Sequence, residues 1–175
     1  AMVQEIVRTD IRKLKKEDLI TALEEMGEKK FRAKQIYQWL WEKGAHSFEE
    51  MTNLSKPLRD KLQQYFIINA ITLDKMQKSS DGTIKSRFKL HDGHLIESVL
   101  IPVPGDNRFT VCVSSQVGCS LTCKFCATGR MKRLRNLDAS EIYDQVHLVN
   151  KQAEEHFGHQ LTNIVSTMSL YQKKY

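Results

Sequence analysis

Apolar residues recur at helical spacing from Glu17 to Met26 and again from Phe31 to Lys43, which predicts two short amphipathic helices. Gly27 and Gly44 stand just beyond them, where a left-handed C-terminal cap is wanted. Ser47 and Glu50 have the spacing of a capping box and predict the start of a third helix. Ser55, Lys56 and Pro57 open a fourth, running to about Phe66. Ile36, Trp39 and Leu40 fall on one helical face and are expected to build the core of this module. Lys29, Lys30, Arg32 and Lys34 lie among them, and suit either phosphate contact or the solvated side of a helix.

From Ile84 the period changes to two. Ile84, Ser86, Phe88 and Leu90 share one side of a predicted strand, and Lys85, Arg87 and Lys89 share the other. Asp92 and Gly93 supply a turn into a second strand, Leu95 to Ile101, so the pair reads as a hairpin with one basic face. After a loop marked by Pro102, Pro104 and Gly105, a third strand spans Arg108 to Ser114. Further on, Asp138 and Glu141 signal a helix start. Ile142, Val146, Val149 and Ala153 mark its expected apolar face, Gly158 its end, and Leu161 to Val165 a final strand. Strand, loop, helix and strand in this order form the βαβ unit of a parallel sheet, whose ligands gather at the C-terminal ends of the strands.

Composition narrows the class. The chain of 175 residues is 41% hydrophobic and 27% charged, which excludes a disordered or fibrous protein. A formal charge of +6 suits a polyanionic partner such as RNA without requiring one. No run approaches the roughly 20 apolar residues of a membrane span, and the N-terminus lacks the pattern of a signal peptide, so a cytoplasmic protein with no membrane partner is expected. All four cysteines fall between Cys112 and Cys126. A disulfide framework would scatter them, whereas clustering indicates a metal or redox site.

Cys119, Cys123 and Cys126 stand in Gly-Cys-Ser-Leu-Thr-Cys-Lys-Phe-Cys-Ala-Thr-Gly. Three thiolates from one loop can hold three irons of a [4Fe–4S] cluster and leave the fourth open to the amino and carboxylate groups of S-adenosylmethionine. Other chemistries compete. Zinc can be held by the same thiols with His147, His156 or His159, although these form no compact pairing with the cysteines. A redox pair would use only Cys123 and Cys126, and buried structural thiols are a further alternative. The spacing, the flanking Phe125 and the strand–loop–helix setting favour the iron–sulfur reading.

These residues resemble a family of radical S-adenosylmethionine enzymes, the adenine-C2 methyltransferases of 23S ribosomal RNA and transfer RNA known as the RlmN and Cfr group, with wording closer to RlmN. The similarity runs from the helical module to about Val165. It includes Phe31-Arg32-Ala33-Lys34-Gln35, Glu97-Ser98-Val99-Leu100-Ile101-Pro102 and Cys112-Val113-Ser114-Ser115-Gln116-Val117-Gly118-Cys119. The resemblance implies an α/β chain divided into a helical, RNA-docking domain over 1–70, a β-hairpin region over 71–107, and over 108–175 the first strands and helix of a partial TIM-like radical enzyme barrel. It implies Cys119, Cys123 and Cys126 as cluster ligands, Glu97 as proton acceptor for the substrate adenine, and Cys112 as the thiol that resolves a protein–RNA crosslink and leaves a disulfide. S-adenosylmethionine and an electron donor such as flavodoxin or ferredoxin are implied with them. Without the resemblance Glu97 reads as a solvent-facing strand residue and Cys112 as a small buried apolar one. For phosphate contact the candidates are Lys85, Arg87 and Lys89 on the hairpin and Arg130, Lys132, Arg133 and Arg135 after the cysteines.

Family members are much longer. After Val165 this chain continues as Ser166-Thr167-Met168-Ser169-Leu170-Tyr171-Gln172-Lys173-Lys174-Tyr175, where the family's Gly-Met-Gly-Glu-Pro loop is expected, and no cysteine matches the family's C-terminal methyl carrier. The chain by itself is therefore expected to be inactive and, with strand edges and apolar faces uncovered, prone to self-association. A non-catalytic RNA-binding or metal-binding fragment is the alternative.

Overall fold

The computed structural model describes residues 8–117 and 135–166. The chain divides into two compact units, residues 1–69 and 70–175.

In the first unit three helices, α1 (Lys16–Glu25), α2 (Phe31–Trp41) and α3 (Lys56–Tyr65), surround a core of Leu19, Leu23, Ile36, Leu40, Met51, Leu58 and Leu62, each at most 1% exposed. Gly27 and Gly44 take positive φ values of 77° and 64° after α1 and α2, as the two capping positions require. Ser55 accepts the Leu58 N–H to cap α3. The third predicted helix is a single 3₁₀ turn, Phe48–Glu50: the capping box forms, but the chain leaves helical geometry at Met51 and so buries both Met51 and Leu54. Trp39 is only half-buried. Its indole N–H donates to Asn53 Oδ1 at 2.6 Å, and Lys43 lies over the ring. Two short parallel strands, β1 (Thr9–Asp10) and β2 (Phe66–Ile67), close the unit end to end.

The second unit is a five-stranded sheet, in the order β3 (Thr72–Lys78), β4 (Ile84–Lys89), β5 (Leu95–Val103), β6 (Arg108–Val113) and β9 (Asn163–Ser166). A two-stranded ribbon, β7 (Gln116–Val117) with β8 (Arg135–Asn136), and helix α4 (Ala139–Phe157) lie between β6 and β9 in the chain. β3 to β6 run antiparallel, and β9 returns parallel to β6 by way of α4, so the βαβ unit read from the sequence is present. One face of the sheet packs on α4, burying Ile84, Phe88, Ile96, Leu100, Phe109, Val111 and Val113 with Val149 and Ala153.

The helix stripe against the sheet differs from the expected one. Glu141, Gln145, Val149 and Gln152 are buried, while Ile142 and Val146 are half-buried on its flank. The polar members meet polar partners. Ser98 Oγ donates to Gln145 Oε1 at 2.8 Å, Gln152 Nε2 donates to Ser86 Oγ at 2.9 Å, and Asp144 accepts the Ile71 N–H at 3.2 Å. Gln145, Gln152 and Asp144 thus each meet burial with a hydrogen bond, the condition under which it is tolerated. Among the described residues no helix is long and apolar enough to cross a membrane.

Candidate functional site

Pleating assigns the functional candidates of β4, β5 and β6 to one face, the one turned away from α4. Register aligns Gln77, Lys85, Val99, Cys112 and Val165 in a row across all five strands. Glu97 sits two residues before Val99 on the same face, opposite Arg87. It is therefore a diagonal neighbour of Cys112, a relation that puts the two side chains roughly 7 Å apart. Because β5 and β6 are antiparallel, Glu97 lies beside the C-terminal end of β6, and Ser114 Oγ donates to the Glu97 carbonyl at 2.6 Å.

Two of the basic side chains on this face are paired with carboxylates. Lys85 Nζ is 3.3 Å from Glu97 Oε2, and Arg87 Nε donates to Asp74 Oδ2 at 2.7 Å. Lys75, Gln77, Lys85, Arg87 and Glu97 line a shallow cavity of about 150 Å³. Glu97 keeps 32% of its side chain exposed, enough for a ligand to reach it beside Lys85. Cys112 is 7% exposed and is a free thiol, and burial pushes its pKa above the ordinary thiol value. It is held as the neutral, unreactive form until a base or a change of surroundings removes the proton.

The C-terminal end of β6 leads through Ser114 and Ser115 into β7. β7 pairs antiparallel with β8, with Gln116 opposite Asn136 and Val117 opposite Arg135, and the Leu137 N–H donates to the Ser115 carbonyl at 2.9 Å. The two strands form a neck, joined in sequence by residues 118–134. Cys119, Cys123, Cys126, Arg130, Lys132 and Arg133 lie in that segment and so outside the described residues. Three thiolates in one short run suit an iron–sulfur cluster, and the run is attached at the C-terminal end of a parallel strand, where such folds gather ligands. Among the described residues no group of three or more His, Cys, Asp or Glu side chains could hold a metal ion. Of the histidines weighed for zinc, His147 stacks on Tyr143 and His159 stacks on Phe109, while His156 lies beside Phe157.

Arg135, on β8, directs its guanidinium inward. Nη1 and Nη2 each donate to a separate Glu141 oxygen at 2.7 Å, and Nε donates to Asp92 Oδ2 at 2.8 Å. Burial works against ionisation of Glu141, yet Arg135 and the Asp138 N–H outweigh it and hold the carboxyl below its usual range. Asp92 and Glu141 were legible only as turn and cap residues. Gln145, which accepts the Ser114 N–H and donates to the Ser114 carbonyl, both at 2.9 Å, carried no sequence signal at all.

An antiparallel hairpin thus feeds a parallel βαβ unit, and the cysteine-bearing segment leaves the first parallel strand. The crystal structure of a radical SAM methyltransferase from Sphaerobacter thermophilus matches with a TM-score of 0.74 at 37% identity, over 94% of this chain and 49% of that one. Residues 9–68 match the family described as the ribosomal RNA large subunit methyltransferase N-terminal domain. A probable dual-specificity RNA methyltransferase RlmN from Cytophaga hutchinsonii is 58% identical over 92% of this chain and 44% of its own length. One of the same description from Flavobacterium johnsoniae is 52% identical over 92% and 46%. The chain belongs to the RlmN family, and spans a little under half the length of these curated relatives.

Proposed function

We propose that the chain is part of an RNA methyltransferase that modifies C2 of an adenine in 23S rRNA and tRNA, with Cys119, Cys123 and Cys126 holding a [4Fe–4S] cluster that binds S-adenosylmethionine. When bound and reduced by a donor such as flavodoxin or ferredoxin, that pair supplies a carbon radical able to abstract hydrogen. The observation that carries this reading is the convergence of Glu97 and Cys112 on one sheet face, at the strand end from which the cysteine segment departs.

Each side chain has a role its surroundings suit. Glu97, partly solvated and 3.3 Å from Lys85, presents a carboxylate able to accept a proton from an adenine laid on the sheet. Cys112, buried and protonated, stays out of side reactions until it is called on to attack the methyl-bearing sulfur and release the RNA. Lys89, with Arg130, Lys132 and Arg133, contributes phosphate contacts, joined by Lys85 and Arg87 to the extent that RNA displaces their carboxylate partners.

Two experiments test the reading. Anaerobic reconstitution with iron and sulfide is expected to give a brown chain carrying about four irons and four sulfides; stoichiometric zinc without a chromophore would refute the cluster. Deleting the encoding gene is expected to remove 2-methyladenine from digests of 23S rRNA and tRNA. Unchanged 2-methyladenine in both would refute the substrate assignment.

A further inference from the structure

We infer that Arg135 is a positioning residue, a latch that keeps the neck of the cysteine-bearing segment shut, and not a phosphate contact. The inference rests on the cluster reading above for its purpose, but its geometry stands on described residues alone.

The guanidinium commits four of its five N–H donors to acceptors of this chain. Two go to Glu141, one to Asp92, and Nη1 also donates to the Asn136 carbonyl at 3.1 Å. The partners come from separate elements: Asp92 is in the turn between β4 and β5, and Glu141 is in the first turn of α4, where its side chain also accepts the Asp138 N–H at 2.9 Å. One residue of β8 thereby ties the neck to the sheet and to the helix that follows. The ribbon itself is only two residues long on each side, too short to hold by its own hydrogen bonds. Glu141 is buried, with 2% of its side chain exposed, so its charge requires a fixed partner. Nearby His91 Nδ1 is 3.9 Å from Glu141 Oε2, too far to take over the bidentate geometry. A lysine at 135 would keep the charge and lose the fork that reaches two carboxylates at once.

The test is amide exchange of the purified full chain, followed by mass spectrometry over residues 135–138. In metal-free chain, R135K and R135Q are expected to raise exchange there by about tenfold or more. V149A, which weakens the helix–sheet core without touching the latch, is expected to lower the melting temperature and leave that exchange unchanged. R135M/E141M removes both charges and serves if R135Q does not fold; its neck is expected to exchange as fast as that of R135K. In reconstituted chain, R135K is expected to surrender iron to a chelator several-fold faster than wild type. Wild-type exchange in R135K and R135M/E141M overturns the inference, as does equal exchange in V149A. So does a drop of about one in the salt slope of RNA binding by R135Q with an unchanged neck, which would make the residue a phosphate contact. If the wild-type chain takes up no iron, the cluster reading fails, and the metal-free exchange still decides the latch.

Discussion

Replacing Gln145 by Met removes a side chain that hydrogen-bonds α4 to the end of β6, and its cost can be worked from the contacts. Gln145 is fully buried; its Oε1 accepts from Ser98 Oγ at 2.8 Å and from the Ser114 N–H, and its Nε2 donates to the Ser114 carbonyl. Ser98 is 1% and Ser114 8% exposed, so water has little access to what is left behind. A buried group that loses its partner costs about 1–3 kcal/mol, and here two backbone groups and a hydroxyl lose theirs. Met fills the same volume and returns part of this as apolar burial, leaving a net loss of about 3 kcal/mol. The assay is urea unfolding followed by far-UV circular dichroism, with tryptophan fluorescence as a second channel, since Trp39 and Trp41 both lie in the helical unit. A loss below about 1 kcal/mol would refute the claim that these bonds hold the strand end. Adding S98A to Q145M is expected to cost less than S98A alone by about 1 kcal/mol, because the hydroxyl has already lost its acceptor.

The latch adds a pH signature. Glu141 is held below its ordinary pKa of 4.5, so its stabilisation is full above that value and is lost as pH falls through the lower folded value. Acid unfolding of E141Q is therefore expected to lack the part of the wild-type slope below about pH 4.5; an unchanged slope would contradict it. For Cys112 the sign is opposite: its raised pKa stabilises the fold at neutral pH and that contribution disappears as pH rises past the ordinary thiol range. In a chain whose other three cysteines are serine, Cys112 is expected to resist iodoacetamide at pH 8, and alkylation at the rate of a free cysteine would count against its burial. Phe88, fully buried against α4, is expected to cost about 3–5 kcal/mol on change to Ala, measured by the same urea unfolding.

How far the sequence reached depended on whether a signal was local. The hairpin alternation at Ile84 to Leu90 survives intact because each inward residue is buried and each lysine or arginine is exposed. The capping box at Asp138 and Glu141 likewise marks the true start of α4. β3 escaped notice for the converse reason. All seven residues of Thr72–Lys78 are exposed, with a register shift between Leu73 and Lys75, so an edge strand paired on one side only shows no clean alternation. Ser47 and Glu50 mislead in a third way, since a capping box fixes where a helix can begin but not whether Met51 and Leu54 are better buried by a turn. The stripe of α4 facing the sheet was misplaced toward Ile142 and Val146 because hydrophobic periodicity is blind to glutamines that find buried serines.

That blindness has a physical source which also explains the candidate site. The sheet serves two different environments, and only the apolar positions of the α4 face are readable from hydrophobicity. On the other face, Lys85, Glu97 and Cys112 are set apart by register alone, a property of strand pairing between residues up to 27 positions apart in the chain. The cluster chemistry proposed for the end of β6 would require both kinds of order: a face that stays polar and open to substrate, and a strand end that does not move. Gln145 gives the second by bonding both backbone groups of Ser114, one residue beyond β6, and Arg135 continues it across the neck. The polar residues buried against α4 are thus placed where an apolar substitute would fill the space but leave the site's attachment unbonded.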